Sequence, residues 1–283
     1  MTTTGQNAEL QQTFTERGFV ILKGLLEPEV VEQARVAMKT LVDQCAARLL
    51  AEGKIRDTLP DAPFETRMAK LYAHCLDDAP KSFRPELHLP GLFGVFFHPD
   101  LLDIVEMFLG PEIRLYPNYT ARPKLPDWEG TLVLWHQDGG YTSGGAETDS
   151  VTQLHMVNVW SPLVPAREAN GCMQFVPGTH RLGVVPHEQK KHYLEIAPDY
   201  LKRYEDQAVS IELDPGDVAL FHNLLFHRGL PNRTDKIRWS LDWRYQDATQ
   251  PTLREHVGHI ARSRSHPESA VQSAEQWASL TFR

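Results

Sequence analysis

The sequence predicts a mainly β fold buttressed by helices, a double-stranded β-helix or jelly roll. A change of texture along the chain and an undivided length predict it. Up to about residue 110, apolar side chains recur at helical spacing. From about Ile113 onward the chain breaks into short runs rich in β-branched and aromatic residues, separated by Gly, Pro, Asn and Asp. Several short strands of that kind favour a sandwich or barrel, with the upstream helices covering one outer face. No internal repeat, low-complexity block or linker-like stretch divides the 283 residues. Residues 1–283 are therefore expected to form one domain: a helical buttress over 1–110, a jelly-roll core over 111–247 and a C-terminal extension over 248–283.

Glu9 to Arg17 reads as a first helix leading into the apolar run Phe19-Val-Ile-Leu22. A long amphipathic helix is expected from Glu27 to Ala51, because Val30, Val31, Ala34, Val36, Leu41, Cys45 and Leu49 recur at roughly helical intervals. Pro28 falls in its first turn, where the missing N–H is harmless. Helical stretches follow near Glu65 to Cys75 and Pro99 to Leu109. The expected strands are Ile113 to Arg122, Thr131 to His136, Thr152 to Pro162, Cys172 to Val176, Ser210 to Leu213, Asp217 to His222 and Lys236 to Tyr245. The stretch from Gln250 to Arg283 is compatible with a lid or an oligomer contact.

Composition excludes classes without naming a function. With 41% hydrophobic and 23% charged residues the chain can bury a sizeable core, which rules out a disordered or collagen-like protein. No apolar run approaches the ~20 residues that span a bilayer. Met1-Thr-Thr-Thr-Gly-Gln-Asn has neither a basic n-region nor an apolar h-region, so a cytoplasmic protein is expected. Against 37 acidic residues stand 29 basic ones, a net of −8 that disfavours a nucleic-acid partner. Cys45, Cys75 and Cys172 form no C-x-x-C pair and read as free thiols.

The chemistry-bearing residues begin with His136-Gln137-Asp138, at the end of the apolar run Leu132-Val-Leu-Trp135 and before Gly139-Gly140. Alternation along a strand puts His136 and Asp138 on one side, two-thirds of a 2-His-1-carboxylate metal site with open positions. Alone this is weak, since about one H-x-D arises by chance in such a chain. A second, His98-Pro99-Asp100, reads better as a helix start. Downstream, the turn Asp214-Pro-Gly-Asp217 precedes an apolar run and then His227-Arg228-Gly229. Arg238 follows His227 by eleven residues and opens the alternating run Arg238-Trp-Ser-Leu-Asp-Trp-Arg-Tyr245. If a dicarboxylate cosubstrate chelates the metal, its far end needs a fixed cation, and a guanidinium offers a bidentate fork. His222 is a rival with Arg233 at the same spacing, but Arg233 lies in the polar turn Pro231-Asn-Arg-Thr-Asp235. His180 reads as a turn residue, and His155 falls on the opposite strand face.

With these residues in place, the chain resembles the phytanoyl-CoA dioxygenase family of Fe(II)/2-oxoglutarate-dependent oxygenases, from Gly18-Phe-Val to Tyr245. Four blocks carry the resemblance: His136-Gln-Asp138, Asn170-Gly-Cys-Met-Gln-Phe-Val-Pro-Gly-Thr-His180, Pro215-Gly-Asp217, and His227-Arg-Gly with Arg238. It implies that His136, Asp138 and His227 bind Fe(II) and that Arg238, helped by Ser240, holds the distal carboxylate of 2-oxoglutarate. It also implies that Trp160, Asn118 and Gln137 lie about the cosubstrate and that O2 is the second cosubstrate. Leu230-Pro231 after the glycine departs from the small pair many members have there. The chlorinating branch has Gly or Ala in place of the carboxylate ligand; Asp138 is retained. The implied activity is oxidation, most simply hydroxylation, of an unactivated C–H bond in a small molecule. The alternatives are a cupin-like metalloenzyme of another reaction class and a non-catalytic binding module.

Alternation extends the reading toward substrate. If Arg238 points inward, so do Ser240, Asp242 and Arg244, while Trp239, Leu241, Trp243 and Tyr245 face the helices. Asp242 and Arg244 are expected to pair with each other or to meet polar groups of a substrate. Tyr141, just past the double glycine, is expected over the metal as a substrate contact. An acyl-CoA would need a basic track for its phosphates, and no basic cluster is visible beyond Lys190-Lys191 and Arg262 with Arg264; inward Asp242 and Arg244 lean toward a compact polar or zwitterionic substrate.

Overall fold

The computed structural model describes residues 4–139, 153–190 and 194–283. Helices α1 (Thr4–Arg17), α2 (Pro28–Ala51), α3 (Phe64–Leu71), α4 (Phe93–Phe96) and α5 (Pro99–Leu109) precede most of the strands. On α2 the buried residues are Val31, Ala34, Ala37, Met38, Leu41, Val42, Cys45, Ala46 and Leu49, a continuous stripe at helical spacing. Val36, expected on that stripe, is 52% exposed.

The strands are β1 (Phe19–Leu22), β2 (Glu112–Leu115), β3 (Thr120–Lys124), β4 (Val133–His136), β5 (Met156–Pro162), β6 (Met173–Val176), β7 (His187–Gln189), β8 (Leu194–Ile196), β9 (Val209–Ile211), β10 (Val218–His222), β11 (Phe226–Gly229), β12 (Arg238–Asp247) and β13 (His259–Ser263). A major antiparallel sheet runs β1-β10-β5-β12-β2-β13, with β3 also paired to β12. A minor sheet runs β4-β11-β6-β9, and β7-β8 is a separate hairpin. The two larger sheets face each other: Phe221 of the major and Phe175 of the minor have ring centroids 4.8 Å apart, within one apolar cluster with Phe19, Trp160 and Ile211. This is the expected jelly roll.

Strand β12 shows how it is assembled. Trp239, Leu241, Trp243 and Tyr245 lie in the largest core cluster with α2 and α5, and Phe64 of α3 stacks on Trp239 at 5.4 Å. Their alternates Arg238, Ser240, Asp242 and Arg244 face the interior between the sheets, as the pattern predicts.

The expected single strand from Ile113 to Arg122 is two strands, interrupted at Pro117, which has no N–H to donate to a ladder. Beyond residue 250, where composition leaves the role open, the chain packs into the core. Strand β13 pairs with β2, and Trp277, on the short helix Ala274–Ser279, is fully buried against Phe96, Phe97 and Tyr119. This stretch completes the core. The thiols of Cys45, Cys75 and Cys172 are free. Among the described residues no helix is long and apolar enough to cross a membrane.

Candidate metal and cosubstrate site

His136 ends β4 and His227 sits near the start of β11, directly opposite in the antiparallel register, with ring centroids 4.1 Å apart. Asp138 follows β4 by two residues, and its carboxylate lies 3.5 Å from each Nε2: Oδ1 from His136, Oδ2 from His227. One ligand atom from each of the three lies within 4.8 Å of the others.

The imidazoles are pre-set for a metal. Each Nδ1 is 2.8 Å from a carbonyl oxygen two residues back, Leu134 for His136 and Leu225 for His227. A carbonyl only accepts, so Nδ1 carries the proton and the Nε2 lone pair faces the common point. Burial, and then His136, push His227 down to about 3, so it is a neutral ligand at physiological pH. For Asp138, burial works to raise the pKa, but Arg244 and then the two histidines outweigh it and hold the carboxyl well below its usual range.

The major sheet grips that carboxylate. Arg244 Nη2 donates to Oδ1 at 2.6 Å and Asn158 Nδ2 to Oδ2 at 2.7 Å. Asn158 on β5 and Arg244 on β12 are register partners. Sequence reasoning missed Asn158, although its period-2 spacing from Trp160 puts the two on one face.

Beside the triad lies a narrow inner cavity of about 60 Å³, lined by His136, Asp138, His227, Trp160 and Arg238. Arg238 is 3% exposed, and its Nη1 donates to Ser240 Oγ. The Arg238 guanidinium carbon stands 5.5 Å from the Trp160 ring centroid. Its Nε is buried with no hydrogen-bond partner, and no carboxylate forms an ion pair with it, among the described residues. Burial, then Arg122, lowers it to about 10, so it stays cationic at neutral pH. A buried, unpaired guanidinium is costly unless an anion fills the space. The donor set thus fits both a divalent metal and a carboxylate reaching from it.

Lys124, the register partner of Arg238 on β3, is a second basic side chain that sequence reasoning missed. It is 2% exposed, its Nζ donates to Thr131 O at 3.0 Å, and burial, then Arg238 and Arg122, lower it to about 6. Nζ lies 3.3 Å from where a Cβ on Gly229 would stand, so the glycine makes room for the amine.

Asn118 is buried and lines a second cavity, on which His136 and Asp138 also open. The expectation that Gln137 touches the cosubstrate is corrected. Its Nε2 donates to Gly183 O and Leu224 O at 2.7 Å each, and its Oε1 accepts from Val185 N at 2.9 Å, so the amide is used up stapling loops on the far side. Nor do Asp242 and Arg244 rely on each other: Arg122 Nε holds Asp242 at 2.6 Å, and Arg244 holds Asp138. Tyr141 lies outside the described residues. His98 is bound to Glu27 at 2.9 Å, and His222 sits among Phe14 and His180, away from the triad.

The model of the phytanoyl-CoA dioxygenase family matches residues 14–240. The chain belongs to that family. Members are non-haem Fe(II)- and 2-oxoglutarate-dependent dioxygenases, so iron, 2-oxoglutarate and O2 are its cofactor and cosubstrates, and a metalloenzyme of another class is set aside. A 1-deoxypentalenic acid 11-beta-hydroxylase from Streptomyces arenae is 26% identical, covering 94% of this chain and 88% of that one. A probable phytanoyl-CoA dioxygenase from Caenorhabditis elegans is 28% identical over 62% of this chain and 60% of its own length. The structure of the epimerase SnoN with Fe3+, alpha ketoglutarate and nogalamycin RO shares the fold, with a TM-score of 0.59 at 20% identity over 88% of each chain.

Proposed function

We propose that the protein hydroxylates an unactivated C–H bond of a small molecule, with His136, Asp138 and His227 as the iron ligands. Arg238, backed by Ser240, anchors the distal carboxylate of 2-oxoglutarate. The observation that carries this reading is the buried Arg238 guanidinium, unpaired among the described residues, across a narrow cavity from three convergent ligand atoms. When bound, Fe(II) supplies the oxygen activation coupled to decarboxylation: R–H, O2 and 2-oxoglutarate become R–OH, succinate and CO2.

The chain's own residues orient and shield. The carbonyls of Leu134 and Leu225 fix both imidazole tautomers, and Arg244 and Asn158 fix the carboxylate. Phe175 and Phe221 pack against His227, with centroids at 6.2 and 4.9 Å, and keep water from that side. Hydroxylation, rather than another oxidative outcome, is supported by the likeness to a hydroxylase along nearly the whole chain.

The test is anaerobic 2-oxoglutarate binding with and without Fe(II), followed by turnover under 18O2 with candidate small molecules. Metal-dependent binding, succinate release and one 18O atom in the product are expected. No metal-dependent binding would overturn the reading, and succinate release with an unlabelled product would remove hydroxylation.

A further inference from the structure

Outside the inner cavity a larger one, of about 400 Å³, opens on the same His136 and Asp138. That volume suits a small organic molecule. Among the described residues its wall gathers Lys81, Arg84, Arg122, Arg244 and Arg254 from sequence positions far apart, against two carboxylates, Asp138 and Asp242. Both carboxylates are already engaged, Asp242 by Arg122 and Asp138 by Arg244, each at 2.6 Å.

Arg84 decides what the excess means. It stands between the single 3-10 turn Pro85–Leu87 and Phe83, whose backbone is bonded to Ala121 beside Arg122. Among the described residues, no hydrogen bond or ion pair engages its guanidinium; only its backbone is bound, the N–H donating to Glu86 and the carbonyl accepting from Leu87 N–H. Burial pushes its pKa below the ordinary arginine value; Asp242 opposes this, and Arg122, Arg244 and Arg254 add to it. A half-buried Arg84 guanidinium without a partner among the described residues, beside further arginines, raises the free energy of the empty site, and an oxyanion accepting its N–H donors would lower it. 2-Oxoglutarate does not meet that need if its distal carboxylate is at Arg238 in the inner cavity.

We infer that the outer cavity takes a primary substrate bearing an oxyanion, a carboxylate or a phosphate, docked on Arg84 so that its apolar body reaches the triad. This rests on the functional reading given above and adds the substrate class. The expectation of a compact zwitterion changes accordingly, because folding builds a basic wall from residues too dispersed to form a cluster in the sequence.

The experiment uses the full chain loaded with Mn(II), first titrated with 2-oxoglutarate and then, in its presence, with four probes sharing one apolar tail. These are octanoate, octyl phosphate, octanamide and octyltrimethylammonium. Affinities are read by calorimetry, and proximity to the metal by Mn(II)-induced proton relaxation of the tail. One or both anionic probes are expected to bind at least about tenfold more tightly than the amide, as a charge-assisted hydrogen bond allows. Which of the two binds better assigns carboxylate or phosphate. Arg84→Gln should collapse that preference while moving the 2-oxoglutarate Kd by less than about threefold, and Arg84→Lys should keep part of it. Four probes that behave alike, including four that do not bind, would overturn the inference. So would preference for the amide or the ammonium, or an anion preference that survives Arg84→Gln. Absence of 2-oxoglutarate binding is scored in the first titration and counts against the functional reading alone, since the probe preference is still measured.

Discussion

Arg244 and Asp138 form a buried ion pair between the two sheets, with Nη2 2.6 Å from Oδ1 and both side chains less than 15% exposed. Asn158, the strand neighbour of Arg244, holds the other oxygen at 2.7 Å. The candidate carboxylate ligand is thus oriented by the sheet opposite the one that supplies the histidines. Asn158→Ala should weaken Mn(II) binding by about 10–100-fold, the usual effect of losing a partner of a metal ligand, with the far-UV circular dichroism unchanged. Unaltered Mn(II) affinity would mean that Arg244 suffices.

Among the described residues no hydrogen bond or ion pair joins Arg238 to the triad, so metal and cosubstrate binding should separate. Arg238→Met is expected to leave Mn(II) affinity within about twofold and to raise the 2-oxoglutarate Kd by about 100-fold or more, the scale of truncating one member of a buried charge pair. Parallel titrations check this. A parallel loss of Mn(II) affinity would instead show the arginine to be part of the scaffold of the triad.

The parts of the fold legible in the sequence were those governed by short-range periodicity. The α2 stripe and the alternation of β12 put each face where it belongs, and with it Arg238 inside and Trp239 outside. His136, Asp138 and His227 were legible because strand alternation and fixed spacing act within one or two elements. Gln137 was misassigned because adjacency to two ligands outweighed the same alternation, which turns it to the opposite side. Lys124, Arg84 and Arg254 were illegible for a different reason. What matters about Lys124 is its place beside Arg238, set by β3 lying on β12, and about Arg84 and Arg254 that loops bring them to one mouth, which no local pattern encodes.

The C-terminal stretch shows the same limit, since nothing in its composition announces a core element. Trp277 is fully buried, stacks on His88 at 4.0 Å and donates Nε1 to Leu87 O at 3.1 Å. Trp277→Ala should cost about 3–5 kcal/mol, the range for removing a large aromatic from a packed interior. Urea unfolding of the variant measures it. A loss below about 1 kcal/mol would return this stretch to the status of an appendage.

Lys124 links cosubstrate binding to pH. In the free protein its pKa is lowered to about 6, so between there and its ordinary value of 10.5 the native amine is neutral while the unfolded one is protonated. The unfolded state then binds more protons, and stability from this group rises with pH across that window, by up to about 1.4 kcal/mol per pH unit for one proton. A carboxylate bound at neighbouring Arg238 reverses the preference by favouring the ammonium. 2-Oxoglutarate should therefore take up a proton above about pH 6, and its Kd should rise with pH, at most about tenfold per unit. Calorimetry in phosphate and in Tris, whose ionisation heats differ, measures that proton directly. The parent should give different apparent enthalpies in the two buffers, and Lys124→Met should give closely similar ones with a flatter pH profile. Equal enthalpies for the parent at pH 8 would mean that the amine stays neutral in the complex and contributes no charge to the cosubstrate.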